Sequence, residues 1–326
     1  MEELEIAQRE RERKVVEIVR NFLRSIQTFR QYFEKYKKEG FPRFSDWAKF
    51  VDDRGQSIFF ALKESCHGLF RRSSSSVSEN EQIFDLTIGS LFHLAMKMRE
   101  DLYQLEVYGP KYLELSAKRE GYPGQQNLIQ QFQKIISRAH ASFQEGMEEI
   151  DVLFQDILRQ FKELLKEYRE NGLLIRFFLE ENDLLSEVLG KNTLENIFQT
   201  LYGKDEARGY RLAGESYFAS AFYAQAVKAF TRALEKSPGD ENLQFKIHLS
   251  QGLEQFHSFA PLQALRSFEK CLALSKKVEF LETHRAMIRK VCQKIQEEFP
   301  GRRKSDQHRD LVKKATSIER QLGELT

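Results

Sequence analysis

A chain of 326 residues, 41% of them hydrophobic, has room for two domains or one extended helical body, and enough apolar material to bury a substantial core. Only six Pro and seventeen Gly, set among abundant Glu, Lys, Gln, Leu and Phe, point to an all-α fold. The net charge of +2 gives the whole molecule no electrostatic case for nucleic acid, although residues 1–200 hold 29 Lys+Arg against 33 Asp+Glu and the remainder 22 against 16, so the C-terminal part is the basic one.

Three cysteines, Cys66, Cys271 and Cys292, are too few and too scattered for a disulfide framework and point to a reducing compartment. The N-terminal Met1-Glu-Glu-Leu-Glu-Ile is acidic and lacks the apolar centre of a secretory signal. No stretch reaches the apolar length of about 18 residues that a spanning helix needs. The expectation is a soluble, cytoplasmic protein.

Residues 4–38 read as one long helix, since Val15, Val19, Phe22, Ile26, Phe29, Phe33 and Tyr36 alternate steps of four and three as a sustained heptad seam. Gly40 and Pro42 end it. Ser45 to Phe70 reads as a second helix carrying Trp47, Phe50, Val51, Ile58, Phe59, Leu62 and Leu69. The run Arg71-Arg72-Ser73-Ser74-Ser75-Ser76 breaks the pattern as a flexible loop, and Ser78 with Glu81 forms a capping box for the next helix. That third helix carries Phe84, Ile88, Leu91, Ala95, Met98, Leu102 and Leu105. Gly109-Pro110 is expected to kink or interrupt it before it continues to about Arg119. After a turn at Gly121-Tyr122-Pro123-Gly124, Gln125 to Tyr168 reads as a fourth helix bearing Leu128, Phe132, Ile135, Ala139, Phe143, Met147, Ile150, Phe154, Ile157, Phe161 and Leu164, with a stutter around Ala139–Phe143.

Four such seams within 1–170 can satisfy one another as an antiparallel bundle, and the same seams could instead pair between chains as coiled coils. Residues 171–206 read as a connector. Two short helices are expected over 172–203, broken at Gly190 and restarted with Asn192 or Thr193 as cap. A repeat-bearing module over 207–299 follows, closed by a helix from Phe280 to Phe299 that carries Ala286, Val291 and Ile295. Residues 300–326 begin with the basic Gly301-Arg302-Arg303-Lys304 and end in an amphipathic tail helix from Ser305, with Leu311, Ala315, Ile318 and Leu322 on one face.

The most specific signal lies in residues 207–240. Tyr210, Ala213, Gly214 and Tyr217, then Ala226, Phe230, Ala233 and Pro238, fall on the spacing W-x2-L-G-x2-Y…A-x3-F-x2-A-x4-P. Gly214 and Ala226 are small where two antiparallel helices must approach, Tyr217 and Phe230 fill the space around that contact, and Pro238 stops the second helix. A shift of thirty-eight residues pairs Gly214 with Gly252, Ala226 with Ala264, Phe230 with Phe268, Ala233 with Cys271 and Leu234 with Leu272. The second copy has His248 and Gln255 where aromatics belong, and Lys276 for the closing proline. Cys271, at a position that wants a small residue, reads as packing.

This pattern, over 207 to about 278, resembles tetratricopeptide-repeat proteins. The family unit is about thirty-four residues, so about four extra residues are expected between the copies, around Gly239–Asn242. The resemblance implies successive antiparallel helix hairpins whose first helices line a groove that holds partner proteins. Here that face carries Arg208, Arg211, Glu215 and Phe218 from the first copy, and Lys246, Leu249, Leu253 and Phe256 from the second. Family members that clamp a C-terminal carboxylate use a Lys and an Asn one turn apart, where this chain has Arg211 and Glu215. A mixed basic and apolar groove suits an acidic amphipathic helix. Phe218 and Phe256 have the alternative of being covered by the chain's own helices.

No residue is assigned to catalysis, to a metal or to a cofactor. Two Glu-x-x-His pairs, Glu64 with His67 and Glu254 with His257, have the spacing used in di-iron bundles, but one falls in the bundle and the other in the second repeat. Ser65 and Cys66 beside His67 lack a third partner for nucleophilic chemistry. Arg9, Arg11, Arg13, Lys14, Arg20, Arg24 and Arg30 flank the first seam as on lipid-binding helices, yet the interleaved Glu10, Glu12 and Glu17 suit a solvated face. The sequence therefore reads as a non-enzymatic scaffold or assembly factor that binds one or more proteins. A peripheral membrane-associated helical bundle and a helical signalling regulator stand as alternatives, though such regulators carry many more repeats than two. Oligomerisation through the long helices is left open.

Overall fold

A computed structural model describes residues 2–39, 42–51, 58–70, 78–118, 124–191, 193–275, 277–278, 281–298 and 306–324. Among them there is no strand. The elements in chain order are α1 (Glu2–Glu39), α2 (Phe44–Val51), α3 (Ile58–Phe70), α4 (Ser78–Ala117) and α5 (Gln125–Leu165), which ends in a 3-10 turn at Lys166–Tyr168. Then follow α6 (Gly172–Glu180), α7 (Asn182–Leu189), α8 (Thr193–Tyr202), α9 (Glu206–Ala219) and α10 (Tyr223–Lys236). The chain continues through α11 (Glu241–His257), α12 (Pro261–Leu274), α13 (Glu282–Glu298) and α14 (Asp306–Glu324). Expectations placed on Gly40, on residues 71–76 and 121–123, on Asn192, on Lys276 and on residues 301–304 fall outside the described residues, as does the continuity of the second expected helix across 52–57.

The chain folds as two units, Met1–Tyr168 with Glu181–Thr200, and Arg169–Glu180 with Leu201–Thr326. In the first, every member of the α1 seam from Val15 to Tyr36 is buried. Its aromatics reach α5, with Phe22 stacked on Phe161 at 4.2 Å and Phe29 on Phe154 at 5.3 Å, and Lys37 pairs with Asp151. The seam of α4 from Phe84 to Leu102 is likewise buried, against α5. Gly146 makes that approach possible: a Cβ there would lie 2.8 Å from Met98 Cγ. Trp47 docks α2 onto α4, its indole N–H donating to the Ala95 carbonyl at 2.9 Å while its ring meets Phe143 edge-on at 5.5 Å. Arg30 donates to the carbonyl of Val188, tying α7 to α1.

One expectation holds in part and one changes. α4 continues past Gly109-Pro110 without interruption and ends at Ala117, close to the expected end near Arg119. The connector holds three short helices instead of two, since Glu181 (φ −105°, ψ 35°) leaves helical geometry before the break at Gly190.

In the second unit α6 packs on α9, and α9 pairs with α10 and α11 with α12 as antiparallel neighbours. Lys236 at the end of α10 bonds Glu206 at the start of α9 at 2.7 Å, and Lys277 after α12 bonds Glu241 at the start of α11 at 2.7 Å. A Cβ on Gly214 would stand 2.4 Å from Phe230 Cε1, and one on Gly252 would stand 2.3 Å from Phe268 Cε1. The glycines are there to admit the phenyl rings, a closer reason than the Gly214–Ala226 approach expected from spacing. The added length of the second copy lies in the first turn of α11, which has 17 residues against 14 in α9. A core of α11 to α14 then forms, and the tail-helix stripe Leu311, Ala315, Ile318 and Leu322 is part of it.

Candidate functional site

The residues singled out for partner binding lie on two parallel stripes, Arg208, Arg211, Glu215 and Phe218 on α9, and Lys246, Leu249, Leu253 and Phe256 on α11, each with spacings of three, four and three. Lys246 Nζ pairs with Glu215, which joins the two stripes at that point. Arg208 is exposed and donates to Glu170 at 2.7 Å. Two of the three cations expected to steer an acidic partner are thus already neutralised by carboxylates of the same unit.

Arg211 differs. It is half-buried, its Nε is shielded from solvent without a hydrogen-bond partner, and no carboxylate among the described residues bonds it. Nε itself lies out of a ligand's reach, but the guanidinium charge has no carboxylate partner on the stripe, so an acidic group reaching its terminal nitrogens would complete it.

Leu249 and Leu253 are corrected. Both are buried in the core formed with α12, α13 and α14, out of reach of a partner. Spacing places them on the inner stripe, but the chain's own later helices close that part of it. Phe218 and Phe256 are half-buried against the same core. Phe218 meets Tyr223 edge-on at 5.6 Å, and Tyr223 stacks on His257 at 5.6 Å. What remains open is a shorter face built from Arg208, Arg211, Glu215, Phe218, Lys246 and Phe256.

Tyr210, Tyr217, Ala226, Phe230, Ala233, Ala264, Phe268 and Cys271 are buried, and Pro238 lies in the turn after α10. Tyr217 holds the start of the unit together: the Arg176 guanidinium of α6 lies over its ring at 4.7 Å while bonding Glu180 at 2.8 Å, and burial beside Glu180 pushes the phenol up to about 12. Gln255, at the equivalent position of the second pair, instead accepts from Ser267 Oγ at 2.8 Å. Burial raises the Cys271 thiol well above its ordinary value and pushes Cys292 up to about 12, so both remain protonated packing groups. The Glu-x-x-His pairs are otherwise engaged: His67 Nε2 lies 3.2 Å from Asp85 Oδ1, and Glu254 accepts from Ser258.

A feature that sequence reasoning missed lies in the first unit. α4 and α5 leave an open cleft of about 760 Å³ lined by Lys97, Asp101, Tyr103, Tyr108, Arg138 and Ser142 among others. Asp101 is 9% exposed, and its Oδ2 has no hydrogen-bond partner. Desolvation raises its carboxyl pKa, against the hydrogen bond from Ser142 and the charges of Lys97 and Arg138. One residue from the Leu102 seam position, Asp101 reads in sequence as one more solvated acid.

No protein-family model matches the chain, and neither does any curated protein or solved structure.

Proposed function

We propose that the protein is a non-enzymatic interaction scaffold that holds a protein partner on the open α9–α11 face of its second unit, in the manner of a tetratricopeptide-repeat groove. Arg211 carries this reading: it is a half-buried cation with no carboxylate partner among the described residues, placed between the Arg208–Glu170 and Lys246–Glu215 pairs. The duplicated Gly–Phe packing of the two helix pairs supports the repeat reading, because both glycines serve the same purpose thirty-eight residues apart. With Leu249 and Leu253 withdrawn into the core, Phe218 and Phe256 supply the apolar contact and Arg211 the polar anchor. The partner best suited is an acidic helix or an extended acidic segment whose carboxylate reaches Arg211.

The test is affinity capture with quantitative mass spectrometry, comparing the full chain with Arg211→Glu and with Lys290→Glu, an exposed residue of α13 outside this face. The expected result is a partner lost by Arg211→Glu and kept by Lys290→Glu, with helicity and melting of both variants unchanged. A partner retained by Arg211→Glu would mean that the binding element lies elsewhere in the chain.

A further inference from the structure

The turns that join α9 to α10 and α11 to α12 are built alike. Ala221 (φ 60°) and Phe259 (φ 58°) both take the left-handed conformation, thirty-eight residues apart. Ala221 N–H donates to Phe218 O at 3.0 Å and Phe222 N–H to Tyr217 O at 2.9 Å; Phe259 N–H donates to Phe256 O at 3.1 Å and Ala260 N–H to Gln255 O at 2.8 Å. This helix ending favours glycine. Ala221 meets it with the smallest side chain that is not glycine. Phe259 meets it with a bulky one, for which the conformation is costly, and that side chain is 94% exposed, so no packing offsets the strain. Phe222 is 46% exposed and Leu262 39%, and the Tyr223–His257 stack sets the two turns side by side. One end of the second unit therefore presents the apolar side chains of Phe259 and Leu262 and one side of the Phe222 ring, whose other side carries the Arg176 guanidinium at 4.6 Å.

The outward faces of α10 and α12 carry a second repeated feature. Lys228 and Arg232 on α10 correspond to Arg266 and Lys270 on α12, again thirty-eight residues on, and all four are exposed. Each lies two residues beyond one of the inward-facing Ala226, Phe230, Ala264 and Phe268, and so on the opposite side of its helix. Among the described residues Lys228, Arg266 and Lys270 have no carboxylate partner, and Arg232 lies only over the Tyr210 ring at 5.9 Å. The acidic groups on these faces are Glu235 and Glu269, and Lys314 already holds Glu269 at 2.9 Å. Leu262, Arg266 and Lys270 follow one another every four residues, so apolar tip and cations share one stripe of α12.

We propose that this end and face bind an anionic lipid surface. The tips of Phe222, Phe259 and Leu262 enter the headgroup boundary, and Lys228, Arg232, Arg266 and Lys270 meet headgroup phosphates and carboxylates. A bilayer takes up protruding side chains without matching sockets, whereas a folded partner would need one socket for each. Its cations lie on α10 and α12, apart from the Arg211 anchor of the α9–α11 face, although the turns adjoin that face at Phe218 and Phe256.

The experiment is sedimentation of the full chain with vesicles of equal parts phosphatidylcholine and phosphatidylserine, against vesicles of phosphatidylcholine alone. The chain is expected to bind the anionic vesicles, less so as salt is raised, and to leave the neutral ones. Phe259→Gly, which suits the turn backbone, is expected to weaken binding about tenfold with melting unchanged or raised. Lys228→Glu with Arg266→Glu should weaken it about tenfold or more. Arg211→Glu should bind as the parent does. Failure to bind either vesicle overturns the proposal and leaves the face to an acidic protein. So does binding that Phe259→Gly leaves intact, because unspecific charge attraction would then account for it.

Discussion

At Gly214 and Gly252 the absence of a side chain decides how closely two helices pack. A methyl group at either position would lie inside the van der Waals distance of a fully buried phenyl ring, which has nowhere to retreat. Gly214→Ala and Gly252→Ala are each expected to cost about 1–3 kcal/mol in denaturant unfolding. Phe230→Leu, which removes the ring atoms in the way, should recover part of the first loss in a double-mutant cycle. Additive effects would show that the ring is not the obstacle. Asp101 is the opposite case, a side chain whose burial costs stability. Its folded-state pKa is raised, so the folded chain holds the proton more tightly than the unfolded chain does. Its contribution is therefore fully present below the unfolded carboxylate pKa of about 4 and is lost as pH rises through the folded value. Asp101→Asn should raise stability at neutral pH by on the order of 1 kcal/mol, and the gain should shrink toward acid pH. A variant that is less stable at neutral pH would sink this account. The two sites differ in legibility. The glycines stand out because a repeat marks them, whereas Asp101 is one acid among many until the α4–α5 pairing is known.

Whole helices were easier to read than what covers them. The α1 and α4 seams could be followed residue by residue because heptad spacing is local, and each member of both runs, apart from the half-buried Leu105, is buried. The continuation of α4 past Pro110 to near its observed end was legible as well. The closure over Leu249 and Leu253 was not, since it needs α13 and α14 to return to α11 across many residues. The tail helix shows the same limit in reverse: its apolar stripe was evident, but not the core that the stripe would join. Removing residues 306–326 takes away Leu311, Ile318 and Leu322, and is expected to cost the second unit about 5 kcal/mol, read as an earlier denaturant midpoint with exposed apolar surface. An unchanged midpoint would mean that α14 decorates this core without completing it.

At the scale of the molecule, the two units are not consecutive in the chain. α6 belongs to the second unit and α7, next in sequence, to the first. A connector read as one segment over 171–206 is thus shared between them, and a cut near residue 170 removes α7 from the Arg30 hydrogen bond to Val188 that anchors it. Composition gave no hint of this, because both short helices are apolar and separated by a single residue, Glu181.

The position of α14 also bears on how the protein is made. During synthesis the earlier parts of a chain emerge and begin to fold before the later ones exist. The first helix pair of the second unit has its Gly214–Phe230 contact within residues already released, and can form early. The core of α11 and α12 cannot close until residues 306–324 have left the ribosome. Through that interval Phe268 and Leu265 lack the apolar neighbours that α13 and α14 add to their core and stand open to solvent or a chaperone. The newborn chain therefore passes through a stage more adhesive than its finished form, and a slowed or stalled ribosome would prolong it.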